Sequence, residues 1–247
     1  MTTPEDRRRD QAIAAYRVLD VPPRRELLAM AELAARIAGV PMAAIDLVTA
    51  TERRQVATYG VPADVCPRED SLSATVVESG RPAVVSDTLL DDRFRTSPSA
   101  TGELGTVRFF AAHPLVTPEQ VVIGTLCVFD EQPHDVRPEL EPLLGTLAAR
   151  VVDVLQLELT TRRLEAAEEQ LVAFAAQVSH DLKNPLAAVR MALELARDEV
   201  AGETDAAQLL ARAQRGIYRM DAMISELLVV AQGGAAPDRA AVDELPG

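Results

Sequence analysis

The chain has 247 residues, room for two modest cores, and with 3% aromatic residues and no Trp those cores must be built from Leu, Val, Ile and Ala. A formal net charge of −13 opposes phosphate backbones and anionic lipid, so nucleic acid is not an expected partner. No run approaches the ~20 apolar residues that span a bilayer, and the charged start, Met1 to Asp10, does not suit a secretory signal, so no membrane segment and a cytoplasmic location are expected.

The opening segment, Pro4 to Asp20, places Ile13, Tyr16 and Val18 or Leu19 on one helical stripe that Pro22-Pro23 ends. Its basic run, Arg7-Arg8-Arg9, sits among Glu5, Asp6 and Asp10 and reads as a solvated helix face. A second helix runs through Leu27, Ala31, Ala34 and Ile37 and stops at Gly39 and Pro41. From Met42 the period shortens. Residues 43–48 and 54–59 read as a hairpin joined by the charged Thr51 to Arg53. Ser71 to Ser79 reads as a short helix closed by Gly80, Pro82 to Ser86 as a strand, and Asp87 to Gly105 as a long polar loop. Two strong strands follow, Val107 to Val116 and Val121 to Asp130, joined by a turn over residues 117–120. Helices flanking such consecutive hairpins predict an α+β domain with an antiparallel sheet. Cys66 and Cys127 lack metal-ligand spacing, so free thiols and no metal are expected.

Beyond Pro138 the helical period persists. Leu140, Leu144, Leu147, Val151 and Val154 alternate four and three; Leu157, Leu164, Leu171 and Val178 then repeat every seven in a shifted phase. The stripe continues through Leu182, Leu186, Val189 and Leu193 until Ala201 to Asp205 breaks it, with Gly202 suited to a helix end and Thr204 or Asp205 to a cap. A returning helix carries Ala206, Leu210, Ala213, Ile217, Met220, Ile224, Leu227 and Ala231. One hairpin buries these seams poorly and two copies bury them as a four-helix bundle, which predicts a homodimer.

Within Phe174 to Leu186, His180 lies about 200° around the helix from both Val178 and Leu182, so its imidazole points away from the seam. Asn184 shares its face one turn on, and Asp181 adjoins it. A carboxylate that takes the proton-bearing side of an imidazole fixes the tautomer and leaves the other nitrogen more nucleophilic. Pro185 removes the helical donor to the Asp181 carbonyl and favours a bend after the histidine.

The string Ser179-His180-Asp181-Leu182-Lys183-Asn184-Pro185-Leu186 closely resembles the phosphoacceptor box of sensor histidine kinases. The resemblance runs from about Leu171 to Gly234 and implies a dimerisation and histidine phosphotransfer hairpin. His180 would accept the phosphoryl group, Asp181 would assist as base, and Asn184 would position groups for transfer and for the reverse, phosphatase direction. The earlier part resembles a GAF sensor domain. That resemblance rests on Asp91-Asp92-Arg93-Phe94, on Arg108 to Leu115 and on Ile123 to Asp130. It implies a small-molecule ligand in the domain's pocket. Ser71-Leu72-Ser73-Ala74 replaces a Cys-Ala-His-type element of many relatives, so a thiol-linked chromophore is not implied. His113 reads as a core or edge residue of its strand rather than a haem or metal ligand.

The expected organisation is an N-terminal helix (1–20), a GAF-like α+β domain (21–158), a coiled-coil signalling helix (159–173), an all-α dimerising hairpin (174–234) and a tail or linker start (235–247). No Asn-rich or Gly-rich nucleotide motif follows, so ATP and Mg are expected on a separate or missing ATP-binding kinase domain, in cis or in trans, and no cofactor on this chain. The function expected is that of the sensor and phosphoacceptor portion of a two-component kinase, passing phosphate to a response-regulator Asp. Two alternatives stay open: a stand-alone phosphotransfer or phosphatase protein, and a non-enzymatic ligand-gated dimer.

Overall fold

The computed structural model describes residues 3–19, 22, 24–199 and 204–233. The chain divides into two units, residues 1–160 and 161–247.

The first unit opens with α1 (Pro4–Tyr16), whose start is fixed by a reciprocal cap: the Thr3 hydroxyl accepts from the Asp6 amide and the Asp6 carboxylate from the Thr3 amide. Helix α2 (Arg25–Ala38) ends where Gly39 turns left-handed at φ 73°, a conformation that costs glycine little. The strands β1 (Met42–Val48), β2 (Glu52–Tyr59), β3 (Val65–Pro67), β4 (Ala83–Val85), β5 (Phe109–Val116) and β6 (Val122–Asp130) form one antiparallel sheet in the order β3-β2-β1-β6-β5-β4. Helices α3 (Leu72–Ser79) and α4 (Pro98–Thr101) complete the unit with the start of α5 (Leu140–Glu199).

Alternation along the central strands sends two apolar sets to opposite faces. On one face Ile45, Leu47, Phe109, Leu126 and Val128 join α1, α2 and the first turns of α5 in the main core. On the other, Ala44, Phe110, Ala112 and Cys127 meet Leu72 and Val76 of α3 and Phe94. The sheet thus has a helix-covered side and a side with a cavity.

Four expectations change. The run Asp87 to Gly105 holds a 3₁₀ turn at Thr88–Leu90 and the short α4, and it is pinned down: Asp87 takes a two-pronged grip on Arg108 at 2.8 and 2.5 Å, and the Thr88 hydroxyl donates to the Val107 carbonyl at 2.6 Å. The strand β3, paired with β2, extends the expected hairpin, because three residues cannot show an alternating pattern in the sequence. Arg9 is not solvated. It is 3% exposed, pairs with Asp6 at 3.0 Å and donates Nε to the Val122 carbonyl, so its charge is neutralised at burial. The first apolar seam of α5 meets its own sheet: Leu140, Leu144, Ala148, Val151 and Leu155 belong to the main core. The change of phase after Val154 follows, since the stripe before it is set by a sheet and the stripe after it is not.

Leu144 is 1% exposed. Leu144→Ala should lower unfolding stability by roughly 3 kcal/mol, the usual cost of a lost transfer term plus a cavity, read as a lower urea midpoint at unchanged slope.

In the second unit α5 continues to Glu199 and α6 (Thr204–Gly233) returns. Helix α5 passes Pro185 without interruption. Ser179, Gln214, Ile217 and Ile224 are buried, which puts a hairpin interface along one face of each helix. Gln214 replaces the expected Ala213, which is exposed, in that interface. The predicted turn residues Ala201, Gly202 and Glu203 and the tail 235–247 lie outside the described residues.

Candidate functional site

The hairpin site begins with helical spacing. With Ser179 buried at the interface and α5 regular at about 100° per residue, His180 is turned a quarter circle outward and its side chain is 70% exposed. Asn184, one turn on, is also exposed. Asp181 lies next to His180, with its Oδ1 3.2 Å from Nδ1 of the imidazole. With the proton on Nδ1 that contact is a charge-assisted hydrogen bond, and the Nε2 lone pair is left facing outward.

Sequence reading missed Gln177. Its Nε2 donates to both carboxylate oxygens of Asp181, at 3.0 and 2.9 Å, and so fixes the carboxylate toward the ring. The signal was present: an amide and an acid four residues apart on a helix are neighbours. These donors, Gln177 first and His180 second, hold the Asp181 carboxyl below its ordinary range, so it stays ionised. Chemically the set is an outward nucleophile with an oriented base, open to an incoming domain.

Pro185 falls on another arc. Together with Leu182, Leu186, Val189, Met220 and Met223 it lines an apolar groove of about 380 Å³ along the hairpin. Leu164, Leu171, Phe174, Val178 and Val189 continue as exposed apolar residues on α5, roughly opposite His180.

The sheet unit contains the second candidate, a cavity of about 730 Å³ between the sheet, α3 and the segment before β5. Leu72 and Phe110 line it, and behind them the Phe94 ring stands edge-on to Phe110 at 5.5 Å, capped by Arg93 at 4.9 Å. Arg93 is itself forked onto Asp91, at 3.0 and 2.8 Å. The Asp91 to Phe94 string is therefore a brace for the cavity wall.

Asp46 of β1 lies inside this region at 3% exposure. Ser73 donates to its Oδ2 at 2.5 Å and the Cys127 thiol lies 3.7 Å from the same oxygen. Oδ1 has no hydrogen-bond partner among the described residues. Gly124 permits this packing, because a Cβ there would stand 1.9 Å from the Asp46 carbonyl oxygen. Burial pushes the Asp46 carboxyl up, against the opposing pull of Arg53 and the Ser73 hydrogen bond. A raised carboxyl binds protons more tightly folded than unfolded, so its stabilisation is present below about pH 4 and fades as pH rises through the folded value. Asp46→Asn should remove that fall: urea unfolding of the variant should lose less stability than the native chain between about pH 4 and 7.

His113 of β5 is half-buried beneath α5, where a Cβ on Gly145 would come within 2.9 Å of its Nε2, and its Nδ1 lies 3.2 Å from the Pro114 carbonyl. Both cysteines are free and buried. Among the described residues no group of three or more His, Cys, Asp or Glu side chains is arranged to hold a metal, and no helix is long and apolar enough to cross a membrane.

Comparison with known families matches residues 23–155 to the GAF domain and residues 170–236 to the His Kinase A (phospho-acceptor) domain. A cyclic di-GMP phosphodiesterase of Pseudomonas aeruginosa is 34% identical over 116 residues, which is 47% of this chain and 18% of that protein. The chain thus spans under a fifth of that relative's length. Among solved structures, the GAF domain of an Acinetobacter phosphoenolpyruvate-protein phosphotransferase aligns with a TM-score of 0.48 at 18% identity, covering 64% of this chain and 95% of the other. The GAF-B domain of DevS from Mycobacterium smegmatis aligns at 0.44 and 19%, covering 56% and 96%.

Proposed function

This chain belongs to the sensor histidine kinases, with a GAF domain followed by a His Kinase A phospho-acceptor domain, and from that premise we propose that His180 receives a phosphoryl group from ATP held on a kinase catalytic domain and passes it to a response-regulator Asp. The observation that carries the reading is the exposed imidazole with Nδ1 against an oriented, ionised Asp181. In-line attack on the γ-phosphorus needs a free nitrogen lone pair, and Nε2 supplies it. As the N–P bond forms, the γ-phosphoryl leaves ADP and the Nδ1 proton shifts toward Asp181, which keeps the ring from accumulating positive charge. Asn184, on the same face, positions the incoming groups and, in the reverse direction, a water at the response regulator's phosphoaspartate.

The exposed apolar arc from Leu164 to Val189 supports pairing of two chains, with the two hairpins forming a four-helix bundle. It leaves the His180 face outward in each. A small molecule in the GAF cavity would act on this site through α5, whose first turns lie in the sheet core and whose later turns carry His180. In that scheme residues 159–173 serve as the signalling helix.

The test is phosphorylation in trans. The chain, mixed with a separately purified kinase ATP-binding domain and labelled Mg-ATP, should acquire label that is lost in acid and kept in alkali. Acid-stable label, or none with several such domains, would contradict the reading.

A further inference from the structure

We propose that Arg150 and Asp153 form a charged layer between two copies of this chain, where their ion pair within α5 is extended by pairs across the dimer that fix its parallel register. The layer rests on the pairing of two chains along α5 and adds the residues that set their alignment. Counting from Leu143, every seventh position is Arg150, Leu157, Leu164, Leu171 and Val178, and all six side chains are exposed. The ladder thus starts within the sheet unit, on the side of α5 turned away from the core residues Leu144, Val151 and Leu155. Arg150 is its one charged rung. With the ladder at a positions Asp153 falls at d, three residues on, and Nη1 of Arg150 lies 2.7 Å from its Oδ2.

An exposed pair of this kind adds little to a single chain. Burying it in a leucine seam is costly unless each charge gains further partners. A second, parallel copy supplies them, because an a side chain of a two-stranded seam packs into a hole that includes the facing d side chain. Each guanidinium, with five N–H donors, then reaches both carboxylates, and two arginines with two aspartates close a neutral ring. Slipping one chain by a heptad sets Arg150 against Leu143 or Leu157 instead. An antiparallel pair centred on the charges matches them but sets Leu164 and Leu171 against residues before Leu140, outside α5. The occupant that satisfies the charges and the leucines together is a second copy, parallel and in register.

Charge exchange between full-length chains, followed by sedimentation velocity with a fluorescent label on one of them, tests this. Arg150→Asp fills the layer with carboxylates and Asp153→Arg fills it with guanidiniums, so each variant alone should dimerise about tenfold or more weakly than the native chain. Mixed, the two should form a heterodimer within about threefold of native affinity. Neither variant keeps an ion pair within its own helix, so the recovery reports pairing between chains. Both side chains are largely exposed in the single chain, at 64% and 58%, and the sheet unit should keep its unfolding midpoint in each variant. Should either variant not fold, Thr146→Cys in the otherwise native chain decides: at a d position one turn before Arg150 it should form a disulfide with its counterpart under mild oxidation, and no cross-link within a dimer would contradict the layer. A native chain that stays monomeric would end the pairing of the hairpins together with the charged layer. A dimer indifferent to both changes, or a mixture no tighter than its components, would overturn the layer and leave the pairing standing.

Discussion

Replacing His180 with Gln should reduce phosphoryl transfer from a trans-acting catalytic domain to background, with helix content and oligomeric state unchanged. The side chain is 70% exposed, so its removal leaves no core cavity and exposes no unmatched partner. Gln keeps a polar head of similar reach and lacks a nucleophilic nitrogen, because its amide lone pair is delocalised. Asp181→Asn should be intermediate: the amide cannot accept the Nδ1 proton, and the rate should fall about a hundredfold, within the usual span for loss of a general base. Gln177→Ala should cost less, a few-fold, because the carboxylate remains and only its orientation is freed. The ordering His180, Asp181, Gln177 is the signature to look for in single-turnover labelling. Equal effects at all three positions would mean that the changes disturb the helix rather than the chemistry.

The second large effect concerns assembly. Leu164 and Leu171 are 68% and 61% exposed on one chain, seven residues apart, on the arc opposite His180. If two chains pair there, Leu164→Glu with Leu171→Glu places four carboxylates in an apolar seam, and burying an unpaired charge is expensive. The dissociation constant should rise about a hundredfold, visible in sedimentation velocity as a shift to monomer at micromolar concentration, while the sheet unit keeps its unfolding midpoint. A dimer unaffected by the double change would place the interface on another surface.

Much of this architecture is legible in the sequence because it rests on local signals. Gly39 ends α2 as its position announces, and the β5–β6 hairpin follows from two long apolar runs around a short turn in which Gln120 adopts φ 60°. The exposed setting of His180 follows from helical geometry and its distance from Val178 and Leu182. What is not legible depends on distant groups. The spacing of Leu144, Val151, Leu164 and Leu171 is alike, and nothing local says that the first two meet a sheet while the last two stay exposed in the single chain. Arg9 looks like a surface charge until the Val122 carbonyl, more than a hundred residues away, receives its Nε. Asp46 did carry a local hint, an acid inside the apolar run Ala43 to Val48, but its half-satisfied carboxylate needs α3 in place to be seen. Gln177 was readable from its four-residue spacing to Asp181 and passed unnoticed because the box resembled a known motif starting two residues later.

The central claim is that the Asp181 carboxylate ties up Nδ1 of an outward imidazole and leaves Nε2 to attack phosphorus. Long-range ¹H–¹⁵N correlation spectra of the chain, recorded before and after phosphorylation in trans, test it most directly. The account predicts a single phosphorylated imidazole, His180, with the phosphoryl group on Nε2 and Nδ1 unsubstituted. A phosphoryl group on Nδ1, or on His113, His134 or any other side chain, would contradict it.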